Sequence, residues 1–296
     1  MEVRGRPLGI RCPSAENLLM LGLRRHSPLA ALAAAGGALV LGSASGVTQS
    51  LPSVESASPS PTKPAGHRPL RVLITGFHDW RELDGNVWRC RDNPSCRLIY
   101  GAACPSPPIE RRGPLVTALR KGSLKATFDF VTMPTLWHTA AGLDLLAYDV
   151  VFHLGLGVYD GHDKLLIELG AYNERRGGDA QGSTAGHTID AGSAQELPPP
   201  PELERRIMSL SGTSIQGFKI DVAPARAANT FICNETHHRA LRAHALGDGA
   251  PSAVYFIHLP YPAKGDEGHT ALGAGVAALI STLVQQQIEE AARGDE

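Results

Sequence analysis

Three short apolar runs decide most of what this chain can fold into. Arg71 to Thr75 (RVLIT), Val150 to Leu154 (VVFHL) and Val254 to His258 (VYFIH) are rich in β-branched and aromatic residues, and Gly76, Gly155 and Pro260 close them. A run of this length that is apolar on both faces reads as a strand buried on both sides, the strand of a parallel sheet covered by helices. Further strands are predicted at Phe128 to Thr132, Leu165 to Tyr172 and Phe218 to Ala223. Helical stretches lie between them. One starts at Asn93-Pro94, with Asn93 as the N-cap and Pro94 in the first turn. Others are expected over Leu136 to Leu146, Pro201 to Leu210, Ala227 to Leu246 and His269 to Ala292. Residues 78 to 92 and 174 to 201 read as loops. Strands alternating with helices predict an α/β sheet with helices on both faces.

The first seventy residues have a different character. Arg24 and Arg25 precede an apolar stretch from Pro28 to Leu41, followed by the small residues Gly42, Ser43, Ala44 and Ser45. That order is the pattern of a secretory signal, and the apolar run is too short to span a bilayer stably. Residues 1–46 are therefore expected to be a leader with a signal peptide. Residues 47–69, rich in Ser, Pro and Thr, should form a disordered tether. Residues 70–296 form the folded domain. The leader implies a secreted or periplasmic protein; without it the domain would be cytoplasmic.

The 296 residues carry a formal net charge of -1, so no basic field marks a nucleic-acid partner. There are five cysteines: Cys12, Cys90, Cys96, Cys104 and Cys233. They are too few for a disulfide scaffold, and none shows the CxxC spacing of a zinc site. An oxidising compartment could join two of Cys90, Cys96 and Cys104.

Three segments place reactive groups at element ends, where open α/β sheets build their sites. Cys233, in NTFICNETHHRAL, stands near the start of a predicted helix, where free N–H groups and the helix dipole favour a thiolate. His258, in VYFIHLPY, ends a strand and can act as a general base. His237 and His238 are rival partners on the cysteine's own helix, and spacing alone leaves the choice open. Glu168, in KLLIELGAYN, is a carboxylate among apolar residues of an inner strand, a costly placement unless it is paired, and it could orient a histidine.

Together these segments resemble pyroglutamyl peptidase type I, the pyrrolidone-carboxylate peptidase family. RVLITGF followed by Trp80 is similar to the family opening, and Asn93-Pro94-Ser95 to the start of its first helix. FHLGLG (152 to 157), IELGAYN (167 to 173), FICN (231 to 234) and FIHLPY (256 to 261) resemble later motifs, in the family's order and over about 71 to 290. The resemblance implies a three-layer α/β/α sandwich, phosphorylase/hydrolase-like, with a mostly parallel sheet. It implies a cysteine peptidase that hydrolyses the amide bond after an N-terminal pyroglutamyl residue, through Cys233, His258 and Glu168 and a thioester, with no metal or organic cofactor. It also implies that Phe77 and Trp80 bind the lactam ring, and it leaves a homo-oligomer possible. Two departures bear on substrate choice: Trp80 stands where the family has phenylalanine, and Leu169 where it has arginine. They motivate two alternatives, a related cysteine amidohydrolase acting on another blocked N-terminus and a non-catalytic binding module on the same fold.

Overall fold

A computed structural model describes residues 68–81, 87–102, 111–158, 160–227, 230–246, 251–263 and 265–294. The expected leader over 1–46 and nearly all of the tether over 47–69 lie outside the described residues, as do Cys12 and Cys104. The first strand, β1, is Leu70–Phe77. A small hairpin follows, built from β2 (Trp80–Arg81) and β3 (Val87–Trp88). Then come α1 (Pro94–Tyr100), α2 (Pro114–Lys121), β4 (Ala126–Met133) and β5 (Val150–Val158). After these come β6 (Lys164–Glu168), β7 (Ala171–Tyr172) and β8 (Glu196–Leu197). The chain ends with α3 (Pro201–Leu210), β9 (Ser214–Ile215), β10 (Phe218–Ala223), α4 (Ile232–Ala245), β11 (Ala253–Pro260) and α5 (Asp266–Gly294).

Seven strands form one sheet in the order β4-β1-β5-β11-β6-β10-β9. The first four run parallel, β6 is antiparallel to β11, and β10 is parallel to β6. The sheet is mixed but mostly parallel. Side chains alternate across it, so each inner strand serves two faces. On β11, Tyr255 points to one face, where it stacks on Phe152 (4.8 Å between centroids) and accepts a hydrogen bond from Arg206 of α3 (2.9 Å). Arg206 also reaches Gln287 and Glu290 of α5, so α3 and α5 cover this face together. The neighbours of Tyr255, Phe256 and His258, point to the other face, where α4 packs. Helices on both faces make the α/β/α sandwich.

The strands predicted at 71–75, 128–132, 150–154, 218–223 and 254–258 fall within β1, β4, β5, β10 and β11, α3 has its predicted bounds, and Asn93 caps α1 by accepting the N–H of Ser95. Five points differ from these expectations. No helix forms over 136–146; two short 3-10 turns stand there, Thr139–Gly142 and Leu145–Ala147, after His138 adopts a left-handed backbone (φ 64°) that a continuous helix excludes. The strand predicted to run to Tyr172 breaks at Leu169-Gly170. The 78–92 loop contains the β2–β3 hairpin, and α2 was not foreseen. The helix bearing Cys233 starts at Ile232 rather than Ala227. Among the described residues α5 is long and apolar enough to cross a bilayer, with half of its apolar window buried inside the fold, as a core helix requires.

Candidate active site

The site lies on the α4 face, near the carboxyl ends of β5 and β11 and at the end of β6. The antiparallel register sets Glu168 opposite Phe256 and Leu166 opposite His258. Glu168 and His258 are therefore diagonal neighbours on one face, a spacing that long side chains bridge. His258 Nε2 and Glu168 Oε1 lie 2.8 Å apart, with both side chains buried. With the carboxylate as acceptor, the imidazole carries its proton on Nε2 and leaves Nδ1 basic. Nδ1 is buried and has no hydrogen-bond partner among the described residues.

Cys233 reaches this face from α4. Phe231 is the N-cap, and no side chain caps this end, so the first N–H groups of the helix remain available. Cys233 packs against an apolar cluster of Phe77, Met133, Trp137, Ala140, Ile232 and Phe256. Two glycines of β5 make room for the reactive groups. A Cβ at Gly155 would lie 2.9 Å from Cys233 Sγ, and one at Gly157 would lie 2.0 Å from His258 Nδ1. Gly155 is also the register partner of His258 across β5 and β11. Glu168, His258 and Cys233 thus gather over one short stretch of strand. The Gly-x-Gly spacing at 155 and 157 was the sequence signal for this, since residues two apart on a strand share a face.

The electrostatics correct one expectation. The dipole at the start of α4 was expected to favour a thiolate at Cys233. Burial instead pushes this thiol up, the Glu168 carboxylate pushes it further the same way, and a backbone N–H only partly opposes them. Both influences favour the thiol over the thiolate. Cys233 itself keeps some solvent exposure. His237, the rival on α4, is buried edge-on to Phe256 (5.9 Å), and desolvation lowers it to about 4. His238 is also lowered to about 4 by desolvation. His153, on β5, hydrogen-bonds Thr75 Oγ1 through Nδ1 (2.6 Å) and falls to about 3 for the same reason. All three are neutral near pH 7.

Two hydrogen-bonded braces hold α4 in place. Asn234 accepts the N–H of Tyr172 (2.8 Å) and donates to the carbonyls of Tyr172 (2.8 Å) and Glu174 (2.9 Å). Buried Glu235 pairs with buried Arg175 (2.9 Å) and accepts the N–H of His138 (3.0 Å). Sequence reasoning missed both residues, because an Asn or Glu in an amphipathic helix gives no sign of what it meets.

The two expected substrate-binding residues occupy different surroundings. Phe77 is buried in the cluster that Cys233 touches, whereas half-buried Trp80 lines an adjoining open cleft of about 600 Å³. Cys90 and Cys96 form a disulfide, so the donors of His78, Cys90 and Cys96, all within 4.8 Å of one another, do not present thiolates to a metal.

No family model and no curated protein matches the chain. Solved structures do. The pyrrolidone carboxyl peptidase of the hyperthermophile Pyrococcus furiosus is 18% identical, with a TM-score of 0.52 over 73% of this chain and 99% of that one. That of Fervidobacterium islandicum AW-1 is 17% identical, with a TM-score of 0.51 over the same shares, 73% and 99%. At this identity the likeness speaks for architecture: over its described domain the chain has the fold of the pyrrolidone carboxyl peptidases.

Proposed function

We propose that this protein is a cysteine peptidase that hydrolyses the amide bond after an N-terminal pyroglutamyl residue. The observation that carries the reading is the gathering of Cys233, the His258–Glu168 pair and an uncapped helix start on one face of the sheet. Because burial and the Glu168 carboxylate both raise the Cys233 thiol, the reaction starts from the thiol rather than from a preformed thiolate.

His258 Nδ1 takes the Sγ proton as sulfur attacks the pyroglutamyl carbonyl, and Glu168 steadies the imidazolium through Nε2. The tetrahedral oxyanion collects the free N–H groups at the start of α4, where one donor is worth about 3 to 4 kcal/mol. His258 then protonates the leaving amine, leaving a thioester on Cys233. Water, deprotonated by the same Nδ1, releases pyroglutamate and restores the thiol. Phe77 supplies an apolar wall suited to the uncharged lactam, and Trp80 closes its outer side. The substrate is a peptide with an N-terminal pyroglutamate.

Cys233→Ala tests this: it should abolish hydrolysis of a pyroglutamyl amide and leave the thermal midpoint within a few degrees. Hydrolysis retained by that variant would remove Cys233 as the nucleophile.

A further inference from the structure

The cleft beside Trp80 is larger than a single lactam needs. Its volume of about 600 Å³ falls inside the range of about 300 to 1,000 Å³ in which sites enclose ligands of drug size. It continues directly from the apolar cluster under Cys233. Phe77 and Met133 of that cluster end β1 and β4, and the residues that follow each of them line the cleft. The His78 N–H bonded to the Met133 carbonyl (2.8 Å) ties the two exits together.

Both walls are braced. On one side, Trp80 and Val87 stand on the hairpin. Asp79 fixes its base by accepting from the Cys90 N–H (2.8 Å) and from Arg89 (2.9 Å), and the Cys90–Cys96 disulfide joins it to α1. On the other side, Asp179 Oδ1 accepts the N–H groups of Gln181 and Ser183 (both 2.9 Å), and Trp137 Nε1 donates to the Ser183 carbonyl (3.0 Å). The charges lining the cleft pair with each other: Asp79 with Arg89, and His78 Nδ1 3.2 Å from Asp79. What remains for a ligand is the apolar surface of Trp80, Val87, Pro134, Leu136 and Ala180, with Thr132, Thr135 and Gln181 as the neutral polar groups among them.

Resting on the proposed peptidase reading, we infer that this cleft receives the part of the substrate beyond the scissile bond, and that it selects peptides whose residues after pyroglutamate are apolar or aromatic. Past the lactam site bounded by Phe77 and Trp80, the chain lies between the hairpin and the 179–183 turn, with its side chains against Val87, Pro134 and Leu136.

The test compares pyroglutamyl-Phe-Leu-amide with pyroglutamyl-Ser-Ser-amide on the full-length protein. The wild type should favour the apolar peptide in kcat/KM by at least about tenfold, a factor that small changes in apolar contact produce. Val87→Asp, at an exposed position that folding tolerates, should bring that ratio close to one. Calorimetric binding of the same two peptides, and of acetyl-Phe-Leu-amide, to the Cys233→Ala protein separates this inference from the reaction. Tighter binding of both Phe-Leu peptides, weakened by adding Val87→Asp, upholds the cleft even if no pyroglutamyl amide is hydrolysed. Equal affinity for apolar and serine peptides, or a ratio that Val87→Asp leaves unchanged, overturns it.

Discussion

Replacing Gly157 with alanine would set a methyl carbon 2.0 Å from His258 Nδ1, 2.6 Å from Cγ and 2.8 Å from Cε1. Ordinary contact begins near 3.4 Å, so the ring or the strand must yield by about 1.4 Å (3.4 − 2.0). The ring has little room to retreat. Glu168 holds its far nitrogen at 2.8 Å, and Phe256 lies against it with centroids 4.8 Å apart. A displacement of about 1 Å in a catalytic group costs on the order of 100-fold in rate, or about 2.7 kcal/mol of barrier. Gly157→Ala should therefore lower kcat for a pyroglutamyl amide by about 100-fold or more, with a stability loss of about 1 to 3 kcal/mol from overpacking. Gly155→Ala meets Cys233 Sγ and the Phe256 ring at 2.9 Å, a smaller intrusion, and should cost about tenfold. Gly142→Ala, whose added Cβ meets nothing within 4 Å, is the control. Steady-state kinetics at a temperature where each variant is folded by circular dichroism reads the result. A folded Gly157→Ala protein within about threefold of wild-type kcat would refute the placement of His258 as the base.

Three further results are expected. Glu235→Ala strands buried Arg175 and should destabilise the fold by about 3 to 5 kcal/mol in urea titrations, a loss that Glu235→Gln reduces. Desolvation alone would raise the Glu235 carboxyl, but Arg175, the His138 N–H and Arg239 hold it below its ordinary value. Its stabilisation is thus present above pH about 4.3 and lost as pH falls through the lowered folded value. Buried His153 and His237, held near 3 and 4, stay neutral in the fold while the unfolded chain takes up protons below pH about 6.5. Stability should fall as pH drops from about 6.5 toward 4, and His237→Leu should reduce that slope by up to about 1.4 kcal/mol per pH unit, leaving the curve above pH 7 parallel to wild type. Replacing Cys90 and Cys96 by serine opens a link of sequence separation 6 and should cost about 2 kcal/mol in chemical denaturation.

The inner strands were legible because a strand covered on both faces is apolar on both; that holds for 72–74, 150–152 and 254–257. Their directions were not legible. Periodicity is the same for a strand read either way, so nothing in KLLIE told that β6 runs antiparallel to β11. That reversal is what brings Glu168 diagonal to His258. The hairpin at Trp80 and Trp88 escaped notice because its two-residue strands have no pattern of their own and depend on the disulfide and Asp79. The stretch from 136 to 146 has helical composition, but the 3-10 turns follow the left-handed backbone of His138, whose N–H bonds to Glu235 from far along the chain. At the site, Cys233, His258 and Glu168 could each be picked out as a reactive type at an element end. The sign of the shift at Cys233 could not, because a helix start is visible in sequence whereas the burial that outweighs it is a property of the packed fold.

The most direct test uses the full-length protein and two fluorogenic substrates, a pyroglutamyl amide and the matching prolyl amide. The account predicts release from the pyroglutamyl substrate alone, and loss of that activity in step with alkylation of Cys233, followed by peptide mass mapping. No release by folded protein, or release that survives complete alkylation of Cys233, would contradict it.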